Sequence, residues 1–444
     1  MEQYWQWGLI ITSSILLFVL SPLAKNTNQF FKAVHKKKAP NTFMLMGSLV
    51  ISWIFAKSIT NAANLGLDYG LVGGVAYAAY YVSFAVAGLI IYQMRVHGNF
   101  TSIHHFLTSR FGKGAVAVFS MLIAIRLFNE VWSNTMVIGT YFGETGSAPY
   151  YWSILVFTAL TLAYTLKGGL SSSIFTDVIQ MALFSILLFI ILWNVFHVDT
   201  TFSPSEAMTT GVWSFEMGVN LLLAALLQSF SYPFHDPVLT DRGFISSPKV
   251  TRKSFLWASL VGALSIILFS IIGVYAKHAG LQGQAAVEVG KAFGVAILLV
   301  INFIMITSAA STLDSTFSSF SKLLSVDLNL GNTLKFGRWS MASIAILGTI
   351  PVFLNAEILS ATTISGTMVI GLTPVFLFWK IETPKMSFYL SVFCGILFGF
   401  LLLLEVFPQS LIFTKGKYAD LLWINFWGIF SCISLYFIPK WIKR

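Results

Sequence analysis

Charge is scarce in this chain. Only 10% of its 444 residues are Asp, Glu, Lys or Arg, while 56% are hydrophobic. Soluble domains carry about 25% charged residues, so a water-facing globular surface is excluded. The two cysteines, Cys394 and Cys432, both lie in apolar runs. They are too few for a disulfide framework or a cysteine metal site. No His-Glu-x-x-His occurs, nor a Gly-x-Ser nucleophile with a histidine deep in an apolar run, and these absences argue against an intramembrane protease. The short alternating segments of a membrane β-barrel are missing too; the apolar runs reach 20 residues or more. What remains is an all-α polytopic membrane protein in a cell membrane, plasma or inner.

The net charge of +10 raises the question of nucleic acid, and its distribution answers it. Apolar runs predict thirteen transmembrane helices near 4–23, 41–66, 70–94, 114–142, 148–166, 170–196, 215–235, 251–276, 291–326, 336–354, 357–379, 386–407 and 419–440. The first run lacks a basic segment before it and is followed by Lys25, Lys32 and Lys36 to Lys38, so it reads as a retained span with an external N-terminus. Alternating from there puts 21 of the 27 basic residues in inside loops and the C-terminal tail. Only Lys277, Lys291, Lys415 and Lys417 fall outside, and Lys57 and Arg126 lie within spans. Positive charge thus follows membrane sidedness, with a cytoplasmic C-terminus. The segment Thr101 to Gly112 reads as an amphipathic helix on the inner surface.

Spans two to six and seven to eleven are five each. An odd number forces the second set into the opposite orientation, so inverted repeats over 41–196 and 215–379 are allowed, with one extra N-terminal helix (4–23) and two C-terminal ones (386–440) in a single transporter domain. Both repeats open on an interrupted helix. Span two carries Ser48, Ser52, Lys57, Ser58, Asn61 and Asn64, and span seven ends in Ser-Tyr-Pro-Phe-His-Asp-Pro (231–237). Proline removes a backbone donor and breaks a helical ladder. Matching interruptions in two halves point to a binding site at mid-membrane.

An ionised side chain at the bilayer centre costs roughly 2.5–3.5 kcal/mol even on the lenient insertion scale, so polar residues at depth mark function. Ser308, Ser311, Thr312, Ser315 and Ser319 recur at three- and four-residue steps in span nine and share one helical face, with Asp314 beside them. Hydroxyls and carboxylates are hard oxygen ligands, suited to a small hard cation and poor for zinc or copper. The bland alternative is a small-residue stripe for close helix packing. In span six, Gly168-Gly169 forms a tight turn, and Asp177 and Gln180 share a face. Arg126 and Glu130 are four apart and are expected to pair as a brace. His235 and Asp236 could gate or relay protons, but near an interface they read rather as plain solvated residues. Gln228, Tyr232 and Asn61 are substrate-contact candidates by position.

Lys167 to Gln180, with its Gly-Gly followed by Thr-Asp and Gln, closely resembles the signature of the sodium/solute symporter family. Ser311-Thr312-Leu313-Asp314-Ser315 followed by Ser325-Val326-Asp327-Leu328 resembles that family's eighth core helix. The shorter Ser52-Trp53-Ile54-Phe55-Ala56 is similar to the first core helix of its urea active transporter branch. The resemblance implies an inverted five-helix-repeat core of the APC-superfamily type and sodium-coupled symport of a small polar organic solute by alternating access, with no enzymatic role and no cofactor beyond the coupling ion. It implies a main Na+ site from the hydroxyls of Ser311 and Thr312, the carbonyl of Ser308, and carbonyls near Ile51 and Ile54. A second site, of the kind in sialic-acid-type relatives, maps to Asp177, Ser311, Asp314 and Ser315. This chain departs by carrying Asp314 where such relatives have a hydroxyl; Asp314 either strengthens that site or carries a proton.

Lys57 keeps three readings: pairing with an anionic substrate group, replacing sodium, or pairing with Asp314 or Asp177. A proton-coupled or sodium-independent carrier using Lys57, Asp177 or Asp314 stays open beside the sodium reading, and a membrane sensor is the remote third class. The expected partners are Na+, a small solute and the lipid bilayer, with no nucleic acid. The identity of the solute is not legible.

Overall fold

The structure, a computed structural model, describes residues 2–34, 38–198, 200–353 and 366–442. Its main helices are α1 (Glu2–Leu20), α2 (Thr42–Trp53), α3 (Ala56–Tyr69), α4 (Leu71–Val96, with a 3-10 turn at Ala79–Tyr81), α5 (Ile103–Phe111), α6 (Lys113–Thr140), α7 (Ala148–Gly168) and α8 (Leu170–His197). They continue as α9 (Val219–Gln228), α10 (Pro237–Arg242), α11 (Pro248–His278), α12 (Val295–Lys322), α13 (Leu334–Phe353), α14 (Lys385–Leu403) and α15 (Ala419–Ile442). Among the described residues there is no β-strand. Among the described residues, eight helices are long and apolar enough to cross a membrane, nine if the bent pair α2–α3 counts as one span. This supports an integral multi-pass protein. The start of the span expected at 357–379 lies outside the described residues, as does part of the basic 36–38 segment.

The expected interruptions are present. α2 and α3 meet at an angle of 67°. Ile54 (φ −83°, ψ 71°) and Phe55 (φ −63°, ψ 154°) leave the helical region there, without proline or glycine. A helix end leaves its last carbonyls without intrahelical donors, which makes this bend a natural place for oxygen ligands. The second interruption lies between α9 and α10. Its 3-10 turn Tyr232–Phe234 contains Pro233. α10 then restarts at Pro237, with the Asp236 carboxylate accepting from the amides of Val238 (3.0 Å) and Leu239 (3.4 Å). The segment expected as an amphipathic helix is α5, capped by Ser102.

The chain forms two compact units. The first comprises 1–74, 127–211 and 264–357; the second comprises 75–126, 212–263 and 358–444. The boundaries at 74/75, 126/127 and 263/264 fall inside α4, α6 and α11.

In the first unit, α12 packs against α2, α7 and α8. The Gly168-Gly169 pair joins α7 to α8 as a tight turn. Gly169 has φ 58°, and a Cβ on Gly168 would sit 2.3 Å from the carbonyl oxygen of Pro22. Any larger residue would push the turn off the chain that follows α1, so these glycines set where α8 starts and hence the height of Asp177.

Candidate cation site

The site is built from α2, α7, α8 and α12 of the first unit, and its residues are fully or almost fully buried. Tyr164, Ser173, Thr176, Asp177, Ser311, Asp314 and Ser315 are 0% exposed. Two carboxylates organise it. Asp177 on α8 accepts from Ser311 on α12 (2.5 Å to Oδ1), and from Ser48 (2.5 Å) and Ser52 (3.4 Å) on α2, both to Oδ2. Asp314 on α12 turns toward the other side. Its Oδ1 accepts from Ser173 on α8 (2.7 Å) and from its neighbour Ser315 (3.3 Å). Its Oδ2 accepts from Thr176 on α8 and from the Tyr164 phenol on α7, each at 2.9 Å. Ser315 Oγ links the two groups, 3.0 Å from Ser52 Oγ and 3.0 Å from Ser173 Oγ.

The geometry follows from helical spacing. Residues three and four apart share a face, so Ser48 and Ser52 point together from α2, Ser173, Thr176 and Asp177 from α8, and Ser311, Asp314 and Ser315 from α12. A buried polar group must find a partner or cost several kcal/mol, and here three helices supply partners to one another. A hydroxyl that donates its proton to a carboxylate still offers its oxygen lone pairs. The donor set therefore fits a small hard cation. Nearby on α12, Thr312 donates to the Ser308 carbonyl (3.0 Å), and the Ser308 hydroxyl is buried with no hydrogen-bond partner. The Thr312 contact is the usual back-bond of a helical threonine to the carbonyl one turn earlier, and it places the two oxygens side by side. Ile51 and Ile54 are 0% exposed and lie at the end of α2. Among the described residues, no group of three or more His, Cys, Asp or Glu is arranged to hold a metal ion.

One expectation changes and one partner is added. His235 and Asp236, read as solvated, are 1% and 3% exposed. Asp236 caps α10 and forms an ion pair with Arg126 (3.3 Å), so Arg126 has a tertiary partner besides any pairing with Glu130. The hydroxyl stripe does run down one buried face of α12, with Ser319 also buried.

The substrate-contact candidates fall into different units. Lys57 and Asn61 are half-buried on α3 in the first unit. In the second unit, Gln228 is buried with its amide nitrogen 3.1 Å from Asn425 Oδ1 and 3.4 Å from Thr367 Oγ1. Asn425 in turn donates to Thr367 (3.2 Å) and to the Leu421 carbonyl (2.8 Å). Tyr232 carries the Arg126 guanidinium over its ring, 5.1 Å from the centroid. Tyr164 was not singled out from the sequence, because a tyrosine in an apolar helix reads as core.

Residues 41–228 match the sodium:solute symporter family. Sodium/glucose cotransporter 1 of Mus musculus is 24% identical over 171 residues, covering 35% of this chain and 25% of that protein. Sodium/myo-inositol cotransporter 2 of Mus musculus is 24% identical over 169 residues, with the same shares covered. The match therefore spans about a quarter of the length of these relatives. Two solved structures share the fold along nearly the whole chain. A Na+-coupled sialic acid symporter in a substrate-bound outward-open state aligns with TM-score 0.71 at 14% identity over 98% of both chains. Mhp1, a nucleobase-cation-symport-1 family transporter, aligns with TM-score 0.61 at 12% identity over 95% of this chain and 96% of that one.

Proposed function

We propose that this chain, whose residues 41–228 belong to the sodium:solute symporter family, is a secondary active transporter that couples Na+ to the uptake of a small polar organic solute. The observation that carries this reading is the buried Asp177 carboxylate, held between hydroxyls of the bent α2 and of α12. A carboxylate so deep in an apolar bundle is stabilised by a counter-charge, and the oxygen atoms around it suit a monovalent hard cation. The main site would use the Ser311 and Thr312 hydroxyls, the Ser308 carbonyl, and carbonyls of Ile51 and Ile54 at the bend. The second gathers around Asp177 and Ser315, with Asp314 beside them. Thirteen spans, an external N-terminus and a five-plus-five inverted repeat belong to the same reading.

Coupling follows from linkage. If Na+ favours the arrangement that admits solute, solute must tighten Na+ binding by the same factor. An inside-negative potential adds about 2.3 kcal/mol per translocated charge per 100 mV. Lys57, on α3 just beyond the bend, is proposed to meet an anionic group of the solute, with Asn61 on the same helix as a further contact; Gln228 and Tyr232, in the second unit, are candidates by position alone. The curated relatives carry sugar and inositol cotransporter names, which adds polyols to the urea lead from Ser52 to Ala56.

The test is uptake into proteoliposomes of sugars, myo-inositol, urea, sialic acid, amino acids and carboxylates, with external Na+ or choline. The expected result is accumulation of one class in Na+ alone. Uptake that persists in choline and follows a pH gradient instead establishes the proton-coupled alternative. For Lys57→Ala, retained sodium dependence with weakened solute affinity supports the substrate role. A sodium-indifferent wild type that becomes sodium-dependent on this substitution makes the ammonium a resident substitute for Na+.

A further inference from the structure

We propose that Asp314 is a positioning carboxylate rather than a cation ligand, and that Tyr164 is the residue that holds it in that role. The inference rests on the cation-site reading above and assigns a division of labour within it. An ionised carboxylate offers about four lone-pair positions. Hydroxyls ring Asp314: Ser173 (2.7 Å) and Ser315 (3.3 Å) lie against Oδ1, and Tyr164 and Thr176 (2.9 Å each) against Oδ2, with Thr176 also within reach of the Ser172 and Ser173 carbonyls and Ser315 of the Ser52 and Ser173 hydroxyls.

Direction supports the same assignment. Asp177 accepts from the bent α2 and from α12, the two helices whose oxygens form the proposed main site. Asp314 instead faces α7 and α8, and none of its donors comes from α2. What Asp314 does touch is Ser173 and Ser315, whose oxygens are 3.0 Å apart, with Ser315 also 3.0 Å from Ser52. Ser173 donates to Asp314, and Ser315 bridges Ser173 to Ser52, which in turn donates to Asp177. The negative charge thus acts on the cation from behind, through oriented hydroxyls.

Tyr164 fixes this arrangement. Its ring is 0% exposed. Its single hydroxyl proton has the Asp314 carboxylate at 2.9 Å and the Ala310 carbonyl, one turn earlier on α12, at 3.2 Å. The phenol therefore pins the carboxylate and the backbone of α12 from a helix that supplies none of the proposed ligands. Partners one layer outside a metal site commonly contribute about 10–100-fold in affinity.

The test uses the purified full-length chain, titrated with NaCl against choline chloride at constant ionic strength and read by 22Na+ binding. Tyr164→Phe removes one hydroxyl and keeps the ring. It is expected to raise the half-saturating Na+ concentration by about tenfold while leaving the number of ions bound at saturation unchanged. Asp314→Asn is expected to do the same, and the double variant to be no weaker than Asp314→Asn alone, because the two residues act as one unit. An unaltered half-saturation in Tyr164→Phe overturns the proposal, as does additivity in the double variant. The loss of one bound ion in Asp314→Asn makes Asp314 a ligand and also overturns it. Should Asp314→Asn fail to fold, the Tyr164→Phe titration decides alone. A wild-type chain that binds no 22Na+ rejects this inference together with the cation site, a result distinct from the others.

Discussion

The two units each bury a polar network, and the networks differ in kind. In the second unit donors and acceptors close on one another. The Gln228 amide meets Asn425, Asn425 meets Thr367, and the Arg126 guanidinium meets the carboxylate of Asp236. In the first unit two carboxylates, Asp177 and Asp314, are surrounded by seven hydroxyl-bearing side chains: Ser48, Ser52, Tyr164, Ser173, Thr176, Ser311 and Ser315. Hydroxyls solvate a negative charge without cancelling it. A neutral amide network braces the helices it joins and gives a cation no charge to bind. A hydroxyl-rich, negatively charged network suits a positive charge, which is the basis of the proposed cation site.

That contrast is sharpened by substitutions whose effect on sodium runs from complete to none. Asp177→Asn keeps the size of the side chain and removes the charge. It is expected to abolish sodium-dependent uptake, a loss of about 100-fold or more in Na+ affinity when a charge-assisted contact of roughly 3 kcal/mol disappears. Uptake assays at increasing Na+ check this, and wild-type sodium dependence would break the contrast at its centre. Thr312→Ala removes one proposed oxygen ligand. It is expected to raise the half-saturating Na+ concentration about tenfold, or roughly 1.4 kcal/mol, with the maximal rate retained at high Na+. Asn425→Ala opens the amide network. It is expected to lower stability by about 1–3 kcal/mol, because it leaves buried partners unsatisfied, and to leave Na+ half-saturation unchanged. Thermal melting with and without Na+ separates the two effects. A shift in sodium affinity would show that this network is more than a brace.

The parts of this arrangement that were legible in the sequence are those with a local signature. The hydroxyl stripe from Ser308 to Ser319 follows helical spacing, Gly168-Gly169 marks a turn, and Pro233 and Pro237 mark the break between α9 and α10. Asp177 and Asp314 stand out because carboxylates in apolar runs are rare. The bend at Ile54-Phe55 was legible only through the polar residues around it, since no proline or glycine announces it.

The partners were not legible, because they are tertiary. Tyr164 reaches Asp314 across 150 residues, and Arg126 reaches Asp236 across 110. Sequence spacing favours the i,i+4 neighbour Glu130 for Arg126, and nothing local points to α10. Gln228, chosen by position alone, belongs to a network whose other members lie 139 and 197 residues away.

The central claim is that a monovalent cation binds among the oxygens of α2, α8 and α12. The most direct measurement is equilibrium 22Na+ binding to the purified chain beside its Asp177→Asn variant, with choline as the replacing cation. Saturable binding in the wild type and its loss in the variant is the predicted result; equal binding by both proteins, or by neither, would contradict it.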